Sequence, residues 1–360
     1  MTPATLRTTN LEDLPPGAID AHRSFLAASA AVPLIEHRYT LAGQHVQMLF
    51  AGSDVAMTLA PSFSHLVTND STEPDLTIYI SDAASSGTPP IDLPEPGDAD
   101  APGTWLVHEG PEVRWGRQVG VDGLTVLSNR HRAAWFWAPD VTKLPLFERA
   151  APLRILWHWW LPLRSRALIH AAAVGNGDRG VLLVGKGGSG KSTAALASVG
   201  HDLFYAADDY VAASIDPPVV YSIYNSGKID TDNAWRLPHL ESSTEHHSAG
   251  HPFDTNKTVV FLSERFGSHL STSFPLSAIM VPRITNAGTS SAIVPARSAE
   301  ALLALAPSTV LQMPGGSDAY LSRLGALARA VPTFRLEMGT DLGGVAKTIA
   351  AFLDDPPPRP

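Results

Sequence analysis

The 360-residue chain contains no cysteine, so disulfide bridges, thiolate metal sites and cysteine nucleophiles are excluded by composition alone. A basic excess is also missing: 26 Lys and Arg stand against 35 Asp and Glu, a formal net charge of −9. That balance argues against a surface built to neutralise nucleic-acid phosphates. Lysine is absent before Lys143, a bias with no physical explanation. Long hydrophobic runs are lacking too. The most apolar stretch, PLRILWHWWLPL at 152–163, is broken by Arg154 and His158 and falls short of the roughly 20 apolar residues that cross a bilayer. It predicts a buried or docking helix, with Trp157, Trp159 and Trp160 as a packing surface. The opening MTPATLRTTNLEDLPPG has no basic segment followed by an apolar one, so no secretory signal is expected. These absences together predict a cytoplasmic protein with neither nucleic acid nor membrane as partner.

What is present is a hydrophobic fraction of 44% over a length beyond the roughly 250–300 residues that one core usually serves, which predicts two domains. Up to about Pro139 short runs rich in β-branched and aromatic residues read as strands: 37–43, 45–52, 75–82, 104–109, 123–129 and 133–139. Between them SSGTPPIDLPEPGDADAPG (85–103) is dense in Pro, Gly and Asp and reads as a mobile surface loop. Beyond Phe147 helical spacing appears, then strands alternate with helices in the manner of a parallel α/β sheet. The expected organisation is a β-rich domain over 1–145, an α/β domain over 146–354 and a proline-rich flexible tail over 355–360.

The strongest signal is GVLLVGKGGSGKSTAALASV, 180–199. Val181 to Val184 read as a buried strand, Gly185 to Ser192 satisfy the phosphate-loop pattern G-x-x-x-x-G-K-[ST], and the following residues read as a helix. In such a loop Gly185, Lys186, Gly187, Gly188, Ser189 and Gly190 let backbone N–H groups converge on an anion. Lys191 would then reach the β- and γ-phosphates of a nucleotide, with Ser192 on Mg²⁺ and Thr193 opening the helix. The bland alternative is a glycine-rich turn without ligand.

HDLFYAADD (201–209) would be the strand after that helix and ends on two adjacent carboxylates. Strand ends on that edge of an α/β sheet line the ligand crevice, so Asp208 and Asp209 are expected to face the phosphates with different tasks; a simple turn is the alternative. His170 in ALIHAAAVG reads, by itself, as a core histidine. EHHSAGH (245–251) reads as a polar loop rather than a zinc site, and FRLEMGTD (334–341) as a core strand followed by a turn.

The order LIHAAAV, GVLLVGKGGSGKSTAAL, YAADDYV, covering about 168–213, resembles the catalytic core of the HPr kinase/phosphorylase family, bacterial P-loop enzymes that phosphorylate a protein serine. SIYNSGKID (222–230), PLSAIMVPRI (275–284), LAPSTVLQMPG (305–315) and VPTFRLEMGTD (331–341) are similar to the HPr-kinase-like proteins found beside lasso-peptide biosynthesis genes. The resemblance implies a nucleotide-binding domain of the HPr kinase and PEP carboxykinase type and transfer from ATP, with Mg²⁺, to a serine of a protein or precursor peptide. It implies Asp208 as the base, Asp209 with Ser192 at the metal, His170 in the supporting network and Lys228 as a candidate to neutralise transferred phosphate. Thr193 stands where that family usually carries glutamate, which removes one carboxylate from the metal site. That family forms oligomers, which allows a homo-oligomer here. A small-molecule kinase with the same parts, and a nucleotide-responsive binding protein that transfers nothing, are the alternative readings.

Overall fold

The computed structural model describes residues 14–356 apart from 94, 98–99, 247–250, 254–255, 286–287, 289, 311 and 315–316. The chain is a mixed α/β protein of two compact units, Met1–Trp160 and Leu161–Pro360. Among the described residues no helix is long and apolar enough to cross a membrane.

The first unit holds strands β1 (Leu34–Leu41), β2 (Gln44–Ala51), β3 (Leu76–Asp82), β4 (Trp105–Glu109), β5 (Arg114–Gln118), β6 (Leu124–Ser128) and β7 (Ala133–Ala138). They form one sheet in the order β1-β2-β3-β7-β6-β5-β4. Ala42 and Gly43 join β1 to β2 at φ 50 and 72, the left-handed pair that a two-residue hairpin turn requires. β2, β3 and β7 run parallel, which demands crossovers; helix α2 (Ser53–Leu59) supplies the first. Six of these strands overlap the expected runs, β1 beginning three residues earlier than expected, whereas β5, RWGRQ, was not anticipated because it carries little apolar alternation.

Helix α1 (Pro16–Ala31) was not anticipated either: its core residues Ala18, Ala21, Phe25 and Ala28 are mostly alanine, a faint apolar stripe. After the short α3 (Ala83–Ser86) no regular element occurs among the described residues up to Thr104. Helices α4 (Leu146–Ala150) and α5 (Arg154–Trp160) close the unit. Trp157, Trp159 and Trp160 are buried there, Trp157 edge-on to Phe63 and Trp159 Nε1 donating to Glu109 at 3.2 Å. The expected buried helix is found, and its tryptophans belong to the core of this unit.

The second unit carries β8 (Arg166–His170), β9 (Ala172–Gly175), β10 (Gly180–Leu183), α6 (Lys191–Ala197), β11 (Phe204–Ala207), β12 (Tyr210–Ile215) and β13 (Pro218–Ser222). A side sheet of β14 (Ser226–Asp230), β15 (Thr244–His246) and β16 (Lys257–Phe261) follows, then α7 (Ser263–Phe266) and the long β17 (Ser273–Ile284). The chain ends with β18 (Ala292–Ala296), α8 (Ser298–Val310), α9 (Ser317–Ala330), β19 (Thr333–Met338) and α10 (Leu342–Asp354).

The main sheet runs β11-β9-β10-β17-β13-β12-β8, with β19 also on β17 and β18 on β19. β17 is long enough to serve β13 with its first residues and β19 with its last. The expectation of a parallel sheet is corrected: among the described residues only β10 with β17 and β17 with β19 are parallel strand pairs of this sheet, and its other strand pairs are antiparallel. The cause is that β9 inserts between β10 and β11, so the strand after α6 is not the neighbour of the strand before it.

Alternation along β10 explains its unbroken apolar run. Val181 and Leu183 face a core shared with α6 and α10, while Leu182 and Val184 face one shared with α8 and α9. Both faces are covered, so no position can be polar. Each such side chain contributes about 1.5–3 kcal/mol on burial, enough to anchor the loop that leaves the strand.

Candidate functional site

The loop after β10 is shaped by its glycines. Gly188 and Gly190 hold φ of 76 and 97, a region that costs other residues about 1–2 kcal/mol. At Gly190 a Cβ would also lie 2.9 Å from Met338 Sδ. Gly190 then caps α6, its carbonyl accepting from Ala194 N at 2.9 Å. Lys191 is buried, and its Nζ donates to the carbonyls of Gly185 at 2.7 Å and Lys186 at 3.3 Å.

β11 is antiparallel to β9, which is antiparallel to β10. β11 and β10 therefore end on the same edge, which brings Asp208 and Asp209 to the loop. Their side chains part at once. The Ser192 hydroxyl lies against the Asp208 carboxylate, whose Oδ2 accepts from the backbone N–H of Lys228 at 2.7 Å. Asp209 Oδ1 pairs with His170 Nε2 at 2.8 Å and its Oδ2 with Lys228 Nζ at 2.5 Å. One residue of β14 thus grips both carboxylates, by main chain and by side chain, and the Lys228 side chain is only 16% exposed.

His170 closes β8 in register with Tyr210 at the start of β12. Its own N–H reaches Thr309 Oγ1 at 3.3 Å, and its ring meets that of Tyr210 at 5.2 Å between centroids. The histidine that looked like core is therefore held beside the acids by strand pairing across 39 residues of sequence.

The two acids titrate apart. Burial pushes the Asp208 carboxyl up, and the charge of Asp209 adds to that, against the hydrogen bonds from Ser192 and Lys228. Burial opposes ionisation of Asp209 too, but Lys228 and His170 outweigh it and hold this carboxyl well below the usual range. Burial also lowers Lys191, against the attraction of both aspartates. Divergent environments for neighbouring carboxylates are a recurrent sign of divided labour.

Among the described residues, three buried polar atoms of this site have no hydrogen-bond partner: Asp208 Oδ1, His170 Nδ1 and Ser189 Oγ. Such atoms cost free energy unless a ligand or water meets them. Their residues line a cavity of about 370 Å³, together with Gly187 to Thr193, Asp209 and Lys228. Gly185 and Lys186 were expected at the site, but among the described residues they meet it only through their carbonyls on Lys191.

Among the described residues no group of three or more His, Asp or Glu side chains forms a metal cage. Ser192 and the free Oδ1 of Asp208 nonetheless suit a hard cation that takes its other oxygens from a ligand and water, as Mg²⁺ does.

Asn233, Arg236 and Lys257 also line the cavity and were missed. Arg236 and Asn233 lie in the 3-10 helix after β14, and Lys257 begins β16 opposite Asp230; none sits in a recognisable motif. Of the other segments singled out, FRLEMGTD is core strand β19 and turn, as expected. EHHSAGH lies partly outside the described residues. No protein-family model matches the chain, and no curated protein matches it.

Proposed function

We propose that this chain is an ATP-dependent kinase whose second unit is a P-loop domain of the HPr kinase and PEP carboxykinase type, transferring the γ-phosphoryl group to a serine hydroxyl of a peptide or protein. The observation that carries the reading is the meeting of the glycine loop, Ser192 and the two aspartates around one cavity, with Asp208 against Ser192 and an unpartnered Oδ1 beside it.

Phosphoryl transfer asks little covalent work of a protein; positioning and charge stabilisation carry the rate. The loop N–H groups and Lys191 would hold the phosphates, Lys191 exchanging its two carbonyl partners for phosphate oxygens. The chemistry a bound Mg²⁺ would supply is positive charge against the negative charge that develops on the phosphates. Ser192 and Asp208 would hold it, because Asp208 is 2% exposed and turned to the loop.

Asp209 is one-fifth exposed and so is the carboxylate that an acceptor can reach. It would orient the serine hydroxyl and take its proton, while the serine oxygen bonds to the γ-phosphorus and the bond to the β-phosphate oxygen breaks. His170 fixes Asp209 Oδ1 and Lys228 fixes Oδ2, so the carboxylate is held in one orientation. This division is the reverse of the one the family resemblance implies for the two aspartates.

The test is incubation with γ-labelled ATP, Mg²⁺ and serine-bearing peptides. Label should appear in the peptide with wild type and vanish with Lys191→Ala. Hydrolysis without any acceptor-dependent transfer, across peptides and small hydroxy compounds alike, overturns the kinase assignment.

A further inference from the structure

The main sheet carries a second cleft on the face that α8 and α9 cover. Along β19, Phe334, Leu336 and Met338 pack into the core shared with α6 and α10, so by alternation Thr333 and Arg335 project to the opposite face. There Arg335 meets Glu300 of α8 at 2.9 Å. Where the start of α8, the end of α9 and the first residue of β19 come together, a cleft of about 310 Å³ remains.

Donors gather around it. Thr333 lines the cleft and is 2% exposed, yet among the described residues its Oγ1 has no hydrogen-bond partner. Its strand is paired on both sides, with Ile279 and with Ala296, so only the hydroxyl is left over. Such a group costs free energy until something meets it. Ser298 adds its hydroxyl and the N–H of a helix start, which has no acceptor within its own helix. Arg329 stands at the rim, exposed, and among the described residues it forms no hydrogen bond or ion pair.

Charge narrows the ligand. The N-terminus of α8 supplies about +0.5 and the C-terminus of α9 about −0.5, so the two offset each other and Arg329 leaves the cleft at about plus one. Among the described residues no carboxylate lines it. Glu300, in the first turn of α8, is taken up by Arg335 and Arg283, and Glu337 acts on Arg335. A carboxylate brings one negative charge and matches this balance, whereas a phosphate monoester brings about 1.5–2 and exceeds it. The rest of the lining, Ala296, Ala328, Ala330, Val331 and Pro332, is apolar. At roughly 30 Å³ each, on the order of ten non-hydrogen atoms fit.

We propose that this cleft binds a small organic monocarboxylate with an apolar body. The carboxylate accepts from Arg329, from the Ser298 N–H and from the Thr333 hydroxyl, and the body lies on Val331, Pro332 and the alanines. The site stands apart from the kinase reading: α6 packs on the opposite face of the sheet, and it is Met338, at the other end of β19, that lies against Gly190 of the glycine loop.

Isothermal titration calorimetry of the full chain with sodium benzoate, benzamide and phenyl phosphate tests it. Benzoate should bind with a Kd of about 1 mM or tighter, and benzamide, the same body without the charge, about tenfold more weakly. Arg329→Gln should weaken benzoate by about fivefold or more. Thr333→Val should weaken it by about fivefold while the unfolding temperature stays equal or rises, because a buried hydroxyl without a partner is removed. A merely structural Thr333 would lower that temperature and leave benzoate affinity alone. Lys191→Ala should bind benzoate as wild type does, which separates this cleft from the glycine loop. The proposal is overturned if wild type binds no benzoate, if benzamide equals benzoate, or if phenyl phosphate binds more tightly than benzoate. It is equally overturned if Arg329→Gln and Thr333→Val match wild type, or if Lys191→Ala abolishes benzoate binding.

Discussion

Replacing Lys228 by Met should expose how the acidic pair is tolerated. The Lys228 Nζ stands 2.5 Å from Asp209 Oδ2, with side-chain exposures of 16% and 20%. Removing one partner of a fully buried pair costs about 3–5 kcal/mol, because the other charge is left uncompensated. Here some solvent reaches both groups and His170 Nε2 remains at 2.8 Å from Asp209, so a cost of about 2–3 kcal/mol is expected. For a unit of this size that corresponds to a fall in Tm of about 5–10 °C.

The loss should depend on pH in a defined sense. In wild type the Asp209 carboxyl is held below its unfolded value, so its stabilisation is present above the ordinary carboxylate range and fades only as the pH drops through the lower, folded value. Without Lys228, burial dominates and pushes Asp209 up; the ionised form then destabilises, and the deficit should shrink as the pH falls from neutrality toward about 4. Asp209→Asn in the Lys228→Met background should recover most of the lost stability. Denaturant unfolding of the four members of this cycle between pH 4 and 7.5 measures all of it. A cost below about 0.5 kcal/mol, or strict additivity of the two substitutions, would refute the account of charge compensation.

Three further outcomes follow from the same geometry. Gly180→Ala should destabilise by about 1–3 kcal/mol in chemical denaturation, because a Cβ there would lie 2.2 Å from the Phe274 ring and 2.6 Å from the Val174 carbonyl. Gly190→Ala should cost about 1–2 kcal/mol from its positive φ and abolish Mg²⁺-ATP binding in calorimetry, since the turn that aims the loop would have to open. Asp208→Asn should raise the Mg²⁺ concentration needed for half-maximal transfer, whereas Asp209→Asn should lower kcat by about a hundredfold or more with nucleotide affinity retained; the opposite pattern would restore the division that the family resemblance implies.

Much of the site was legible in order along the chain because each signal was local. Val181 to Val184 are apolar without interruption since both faces of β10 are covered. The glycine spacing is imposed by backbone angles within one turn, and the acids follow a strand whose own residues are buried. Helix α1 and strand β5 were not legible, because alanine gives a weak stripe and RWGRQ a weak alternation.

By itself, then, the sequence determined the strand, loop and helix that carry the glycine motif, the absence of thiol chemistry and the presence of paired carboxylates, all properties of contiguous residues. Only the tertiary structure decided that β9 separates β10 from β11 and makes the sheet mixed, that Lys228 grips both acids, and that Arg236 and Lys257 line the same cavity. Those facts depend on pairing and packing between segments tens of residues apart, where a side chain's partner is set by the register of strands and not by its neighbours in the chain.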